Sequence, residues 1–293
     1  MTSGWTIQNK IVLITGATSG IGKETALELA RKGAKVVIHG RNPEKVAATA
    51  LEIRETTGNT QVDTLTADLS SQSEIHRMAD ELLSHYDQLH VLINNAGAIF
   101  MKRQLSIDGL EMTFALNHMS YFILTQRLLP LLKSNTPARI INVSSAAHFG
   151  AMLNFDDLQN VRGYNGWKAY SQSKLANLYF TYELARRLEN SGITANALHP
   201  GFVATGFGKN NGRFLNALFA FSQLMAVSPQ EGAETSIYLA SSPELDGVNG
   251  KYFVNKRDAP SSPISYNEQI ARRLWSVSEQ LCCPLTVDTP IAV

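Results

Sequence analysis

Cysteine is nearly absent. Of 293 residues only Cys282 and Cys283 are cysteine, and they are neighbours. Adjacent cysteines cannot staple distant segments together, so a disulfide framework is excluded and a reducing, cytoplasmic setting is expected. Net charge is missing as well: 26 Lys and Arg face 25 Asp and Glu, which leaves +1. That balance exerts no pull toward nucleic acid or an anionic membrane surface. Long apolar runs are also lacking. The greasiest stretch, Phe214–Val227, is broken by Asn216, Ser222 and Gln223. It falls short of the ~20 residues needed to cross a bilayer, so no transmembrane segment is expected. Met1–Asn9 carries no basic-then-apolar secretory pattern. The seven histidines include no His-Glu-x-x-His spacing, so no metallohydrolase signature and no metal site are read. Neither Ser19 nor Ser145 lies in Gly-x-Ser-x-Gly, which removes the serine hydrolase signature.

What is present is an ordinary globular composition, 44% apolar and 17% charged, on a chain long enough for a sizeable core. Short apolar runs at Ile11–Ile14, Lys35–Ile38, Val62–Thr66, Val91–Ile93, Arg139–Ser144, Thr194–Leu198 and Lys251–Val254 read as strands. Between them, helical spacing covers Ile21–Lys32, Pro43–Thr57, Ser71–Tyr86, Leu110–Leu132, Ala169–Asn190, Glu231–Ala240 and Ser265–Leu281. Strands that alternate with helices in this way predict an α/β fold. The expected architecture is a Rossmann-type, doubly wound parallel sheet with helices on both faces. No linker divides the chain, so residues 1–293 are read as a single domain. Within it, residues 202–227 are expected to form a substrate lid and 284–293 a loose tail.

In such a sheet, ligands bind beyond the carboxyl ends of the strands. Thr15-Gly16-Ala17-Thr18-Ser19-Gly20-Ile21-Gly22 joins the first strand to the first helix. Glycines let the backbone turn and approach a pyrophosphate, and the helix N-terminus offers free N–H groups. Gly16, Thr18, Ser19, Gly20, Ile21 and Gly22 are therefore the candidate phosphate contacts of a dinucleotide. The second strand ends at His39-Gly40-Arg41, with no acidic residue to take a ribose 2′-hydroxyl. Arg41 instead offers a planar cationic fork suited to a 2′-phosphate, which favours NADP(H) over NAD(H). Asp68 and Leu69 follow the third strand, either to contact adenine or to open the next helix. Asn94-Asn95-Ala96-Gly97 ends the fourth strand. Its small residues admit the adenosine ribose, and its asparagines can equally brace the strands.

Tyr170 and Lys174 lie four residues apart, on one face of a helix. Two charges ~4 Å apart at an effective dielectric of ~20 interact by about 4 kcal/mol, enough to draw a phenol from ~10 toward ~7. The expectation is a tyrosine poised to give and take a proton.

These motifs, with Ser145 and Pro200-Gly201, occur in the order of the short-chain dehydrogenase/reductase family, which the chain resembles from about Lys10 to Thr205. Ser228-Pro229-Gln230-Glu231-Gly232-Ala233, Gly250-Lys251-Tyr252-Phe253 and Leu274-Trp275-Ser276-Val277-Ser278 resemble the tail of its retinol dehydrogenase branch. The resemblance implies Tyr170 as general acid and base, and Lys174 as the group that lowers its pKa and holds the nicotinamide ribose. It implies Ser145 as donor to the substrate oxygen, with Ser144 bracing the strand end. Asn117 would hold a water that links Lys174 to solvent. Pro200, Gly201, Val203 and Thr205 would line the carboxamide end of the cofactor.

Ser145 and Tyr170 are further apart than the family usually has them. The gap holds Phe149, Met152, Leu153, Phe155, Tyr164 and Trp167, and with Phe207 and Phe214–Met225 these are expected to wall a wide apolar mouth. The predicted activity is NADP(H)-dependent interconversion of a lipophilic alcohol and its aldehyde or ketone. A non-catalytic NADP(H)-binding regulator and a light-driven reductase of a related family are the alternatives. The resemblance also implies a possible homo-oligomer, paired through the helices Leu110–Leu132 and Ala169–Asn190.

Overall fold

The structure, a computed structural model, describes residues 4–201 and 228–282. Its centre is a sheet of β1 (Ile11–Ile14), β2 (Lys35–Gly40), β3 (Val62–Thr66), β4 (Val91–Asn94), β5 (Ala138–Val143), β6 (Ile193–His199), β7 (Tyr252–Val254) and β8 (Arg257–Asp258). The spatial order is β3-β2-β1-β4-β5-β6-β7-β8. The first seven strands in that order pair in parallel, and β8 closes the edge antiparallel to β7. The chain winds outward from β1 to β3 and then returns to β4, so the switch point lies between β1 and β4.

Both faces of the sheet are covered. Leu13, Val37, Leu65, Leu92 and Ile140 face one core. Against them lie α3 (Gln72–His85), α4 (Ser120–Lys133), α5 (Gly166–Arg187) and α7 (Glu268–Leu281). Val12, Ile14, Val36, Ile38, Ile93 and Ile141 face the other core. It is covered by α1 (Gly20–Arg31), α2 (Pro43–Thr57) and α6 (Pro229–Ser241). Each such side chain contributes roughly 1.5–3 kcal/mol by leaving water. One polar group runs through this apolar interior. Asn94 Nδ2 donates to Thr125 Oγ1 at 3.0 Å and to Asn142 Oδ1 at 2.8 Å. Asn142 Nδ2 donates to Thr181 Oγ1 at 2.9 Å.

Several elements differ from the sequence reading. The helix expected over Leu110–Leu132 is one α turn, Met112–Phe114, then a π-helical segment, Ala115–Met119, then α4. An extra residue per turn leaves the apolar pattern nearly intact, so the periodicity does not reveal it. The helix expected from Ser265 begins instead at Glu268, behind a 3₁₀ turn at Pro263–Tyr266, where Asn267 caps it by accepting from the Ile270 N–H. The helix read from Ala169 starts at Gly166, because Asn165 accepts from Lys168 N–H and sets the first turn. The expected lid, residues 202–227, and tail, 284–293, lie outside the described residues.

Candidate active site

The glycine loop is built by close approach. Gly16 has φ +65°, and a Cβ there would lie 2.9 Å from the Ala96 Cα. A Cβ at Gly22 would lie 2.4 Å from the Gly16 oxygen and 2.5 Å from Asn95 Nδ2. Loop and β4 end are therefore one packed unit. Thr15 Oγ1 accepts from the N–H groups of Asn95 and Ala96, at 2.9 and 3.0 Å. Asn95 Nδ2 donates back to the Thr15 and Gly16 carbonyls. Asn94 braces β4 to β5, so both asparagines have a structural part. At the start of α1, Ser19 makes no side-chain cap and the first turn has no acidic residue. By contrast, α2 is capped by Asn42 and α3 by Ser71, each with a glutamate in its first turn. The N–H groups and dipole of α1 are thus left to an outside anion, and the loop fits a phosphate.

At the end of β2, Thr18 packs on Gly40, where a Cβ would lie 2.4 Å from Thr18 Cγ2. Arg41 is largely exposed and faces Asp68 across 3.9 Å. An exposed pair at that distance is worth little, about 0–1 kcal/mol, so the guanidinium is readily drawn to a stronger anion. Asp68 Oδ1 accepts from the N–H and hydroxyl of Ser70, at 2.9 and 2.7 Å. Its carboxylate therefore shapes the turn before α3, and Leu69 is buried in the core. Ile21 and Ser19 lie at the crevice rim, Ile21 half-buried and Ser19 exposed.

Across the switch point the ends of β4 and β5 meet α5. Lys174 Nζ donates to the Val143 carbonyl at 2.9 Å. Ser144 Oγ donates to the Lys174 carbonyl at 2.8 Å and locks α5 to the strand end. Tyr170 is buried and hydrogen-bonded to Ser145. Lys174 Nζ lies 5.7 Å from the centre of the Tyr170 ring and 5.8 Å from that of Tyr121. Gly97 is exposed on the other side, and a Cβ there would lie 3.1 Å from Asn117 Oδ1 and 3.5 Å from Lys174 Nζ. A side chain at Gly97 would crowd Asn117 and lie against the amine. Asn117, in the π segment, accepts from the Ala98 N–H and donates to the Ala98 carbonyl and to Ser173 Oγ, each at 2.9 Å. Its amide hydrogens are spent on protein partners, leaving no side-chain donor for the expected water. The structure thus brings Asn117, Ser145, Tyr170, Lys174 and Gly97 together at one mouth. Pro200 and Gly201 follow β6, while Val203 and Thr205 lie outside the described residues.

Titration runs opposite to the sequence expectation. Burial pushes the Tyr170 phenol up to about 12, and the Ser145 hydrogen bond only partly offsets it. Burial also pushes Lys174 down to about 7. Desolvation disfavours whichever form is charged, so phenolate and ammonium both suffer, and burial outweighs their mutual attraction.

A family model described as short chain dehydrogenase matches residues 10–215. The chain belongs to that family. Human retinol dehydrogenase 13 is 43% identical over 282 residues, which cover 94% of this chain and 85% of the relative. With similar relatives named retinol dehydrogenase 11 and 12, it sets this chain on the retinol dehydrogenase-like branch. Among solved structures, a protein from Mycobacterium paratuberculosis superposes with a TM-score of 0.77 at 35% identity, covering 96% of each chain. The Pseudomonas aeruginosa RhlG/NADP active-site complex gives 0.68 at 29% identity, over 86% of this chain and 97% of that one.

Two buried histidines in this short-chain dehydrogenase escaped the sequence reading. His39 Nδ1 accepts from the Gly16 N–H at 3.2 Å and its Nε2 meets the Ala67 carbonyl at 3.1 Å. Burial lowers it to about 4, so a neutral ring pins the glycine loop to β2 and β3. His148 does similar work beside Ser145. A lone histidine has no spacing signature, and only its position beside a motif could have marked either one. The aromatic gap divides. Phe149, Met152 and Trp167 are exposed, with the Trp167 ring 5.9 Å from that of Tyr170. Leu153 and Phe155 pack on the core, and the Tyr164 hydroxyl donates to the Phe100 carbonyl at 2.7 Å. Among the described residues no helix is long and apolar enough to cross a membrane, and no His, Cys, Asp and Glu cluster could hold a metal.

Proposed function

We propose that this short-chain dehydrogenase uses NADP(H) to interconvert a lipophilic alcohol and its aldehyde or ketone. The observation that carries the reading is the Ser145–Tyr170–Lys174 group at the end of β5, with the Ser145 and Tyr170 side chains hydrogen-bonded to each other beside a buried amine. NADP(H) supplies or accepts the hydride when bound. The glycine loop and the α1 N-terminus would hold its pyrophosphate, Arg41 its 2′-phosphate, Asn95–Gly97 its adenosine ribose and Lys174 its nicotinamide ribose. The Pseudomonas aeruginosa relative described as an NADP complex supports that choice of cofactor.

In the reductive direction, negative charge grows on the substrate oxygen. Ser145 and Tyr170 stabilise it as donors, and Tyr170 then passes its proton to that oxygen. Lys174 favours the phenolate left behind. In the oxidative direction the same tyrosine takes the proton back. Trp167 lies beside Tyr170 and Phe149 beside His148, and with Met152 they are exposed apolar side chains of the segment between Ser145 and Tyr170, which supports a lipophilic substrate.

The test is NADPH oxidation with alkanals of rising chain length. Catalytic efficiency is expected to climb about fourfold per methylene while the chain still finds apolar wall. A preference for short, polar carbonyls would sink the lipophilic reading. Arg41→Ala is expected to weaken NADPH by about 10- to 100-fold, the worth of a charge-assisted bond to phosphate, and to leave NADH nearly unchanged. Equal weakening of both cofactors removes Arg41 from the phosphate.

A further inference from the structure

Three residues beyond Ser145, His148 ends the 3₁₀ turn Ala146–His148 with its ring fully buried. Both ring nitrogens are engaged. The backbone N–H of Ser262 donates to Nε2 at 3.0 Å, so that nitrogen carries no proton. Burial holds the ring below its ordinary pKa, and the neutral ring keeps its one proton on Nδ1. Nδ1 therefore donates to the Ser145 carbonyl, at 2.6 Å. The ring also lies edge-on to Tyr252 of β7, with centroids 5.2 Å apart, and against Phe149 at 4.1 Å.

The far end of this clamp is anchored in its turn. Ser265 Oγ donates to the Ser262 carbonyl at 2.6 Å and meets Ser261 Oγ at 2.7 Å. Ser261 Oγ lies 2.6 Å from the Tyr182 hydroxyl. Tyr182 is on α5, the same helix as Tyr170, with its ring stacked on Tyr266 at 5.3 Å. Ser145 is thus tied to α5 twice, once directly at Tyr170 and once through His148, Ser262 and the serine pair to Tyr182. The two ties close a ring of contacts around the β5 end.

We propose that His148 is a positioning residue: by gripping the Ser145 carbonyl from behind, it holds the Ser145 hydroxyl in register with Tyr170, so that both donors reach the same substrate oxygen. This rests on the reading of Ser145 and Tyr170 given above. Two donors can share one developing charge only while their spacing is kept to a few tenths of an ångström, and a displacement of ~1 Å can lower a rate ~10²-fold.

The test is a double-mutant cycle on the full chain, with NADPH and a long-chain alkanal, reading kcat, KM, NADPH affinity and Tm. Ser145→Ala is expected to lower kcat about 10²–10³-fold through the loss of one oxyanion donor. His148→Phe keeps the ring volume and loses both hydrogen bonds. It is expected to lower kcat about 10–100-fold with NADPH affinity unchanged. In the Ser145→Ala background the same change should lower kcat by less than about threefold, because the group it positions is gone. The amide of His148→Asn can still donate to the Ser145 carbonyl and should recover most of the rate. His148→Gln reaches Ser262 instead and should fall with the Phe variant, so the Asn and Gln pair decides the matter even if Phe does not fold. Because Ser145 lowers the Tyr170 pKa, the tyrosine limb of the pH profile for alcohol oxidation should move upward in the Phe and Gln variants. Equal losses in both backgrounds, or Gln outperforming Asn, overturn the positioning role while the reading of Ser145 stands. Undiminished turnover in Ser145→Ala overturns both.

Discussion

Tyr170→Phe is expected to lower kcat by about 10³-fold or more while NADPH binds almost as before. The change removes one oxygen from a side chain whose ring stays packed beside Trp167 and in the buried lining of the site. Positioned proton transfer contributes roughly 10²–10⁴-fold, and the hydroxyl lost is also one of two donors to the developing oxyanion. Ser145 still donates but has no proton to spare at neutral pH, since an alkyl hydroxyl is a far weaker acid than a phenol. The loss should therefore appear in kcat and kcat/KM alike, the mark of a group that acts in the transition state. Single-turnover reduction followed at 340 nm measures it directly. A variant that keeps more than about a tenth of the wild-type rate would remove Tyr170 from proton transfer.

Lys174→Met should abolish most turnover and yet make the cofactor-free protein more stable, by an amount that depends on pH. The unfolded chain keeps this amine protonated up to its ordinary value of 10.5, and the folded chain only up to about 7. Between those values the unfolded state holds one proton more, so the stability of the wild type rises with pH across that window. Below about 7 both states are protonated, and the whole burial penalty, about 5 kcal/mol, opposes folding. Above 10.5 neither carries the charge and the penalty is gone. Methionine has no charge to bury. It also leaves the Val143 carbonyl without its donor, a loss that does not vary with pH. Urea unfolding at two pH values therefore isolates the charge: the advantage of the Met variant should be about 2–3 kcal/mol larger at pH 6 than at pH 9. An advantage that is flat with pH would show that the folded protein carries Lys174 charged throughout.

Much of the site could be read before any coordinates. The glycine loop was legible because a buried strand, a tight turn and a helix start leave a local pattern, and Gly16 and Gly22 do occupy positions where a side chain would strike backbone. The Tyr170–Lys174 spacing placed both groups on one helical face. What spacing could not reveal was the titration, because burial depends on Tyr121, Val143 and the Asn117 region, which arrive from distant parts of the chain. The phenol expected to fall toward neutrality rises instead. The π segment was invisible because its apolar residues continue the pattern of a single helix. β8 is two residues long, too short for any alternation. Asp68 was read as an adenine contact or a helix start, and its bonds to Ser70 show what holds that turn. His39 and His148 were missed because one imidazole, met alone in a sequence, says nothing about which backbone groups will close around it.

The Asn94–Asn142–Thr181 chain also bears on how the strands find their alignment. A strand buried on both faces is apolar at every position, so sliding it by one residue exchanges one greasy contact for another, and hydrophobicity alone cannot choose between the two placements. Amides can. A slip of β5 against β4 would carry Asn142 away from Asn94 and Thr181 and leave unpaired amides in a dry interior, at about 1–3 kcal/mol for each orphaned group. These few polar atoms act as a vernier for the sheet. The same alignment sets how far β4 and β5 project, and so the relative depth of Gly97 and Ser145, which follow their ends.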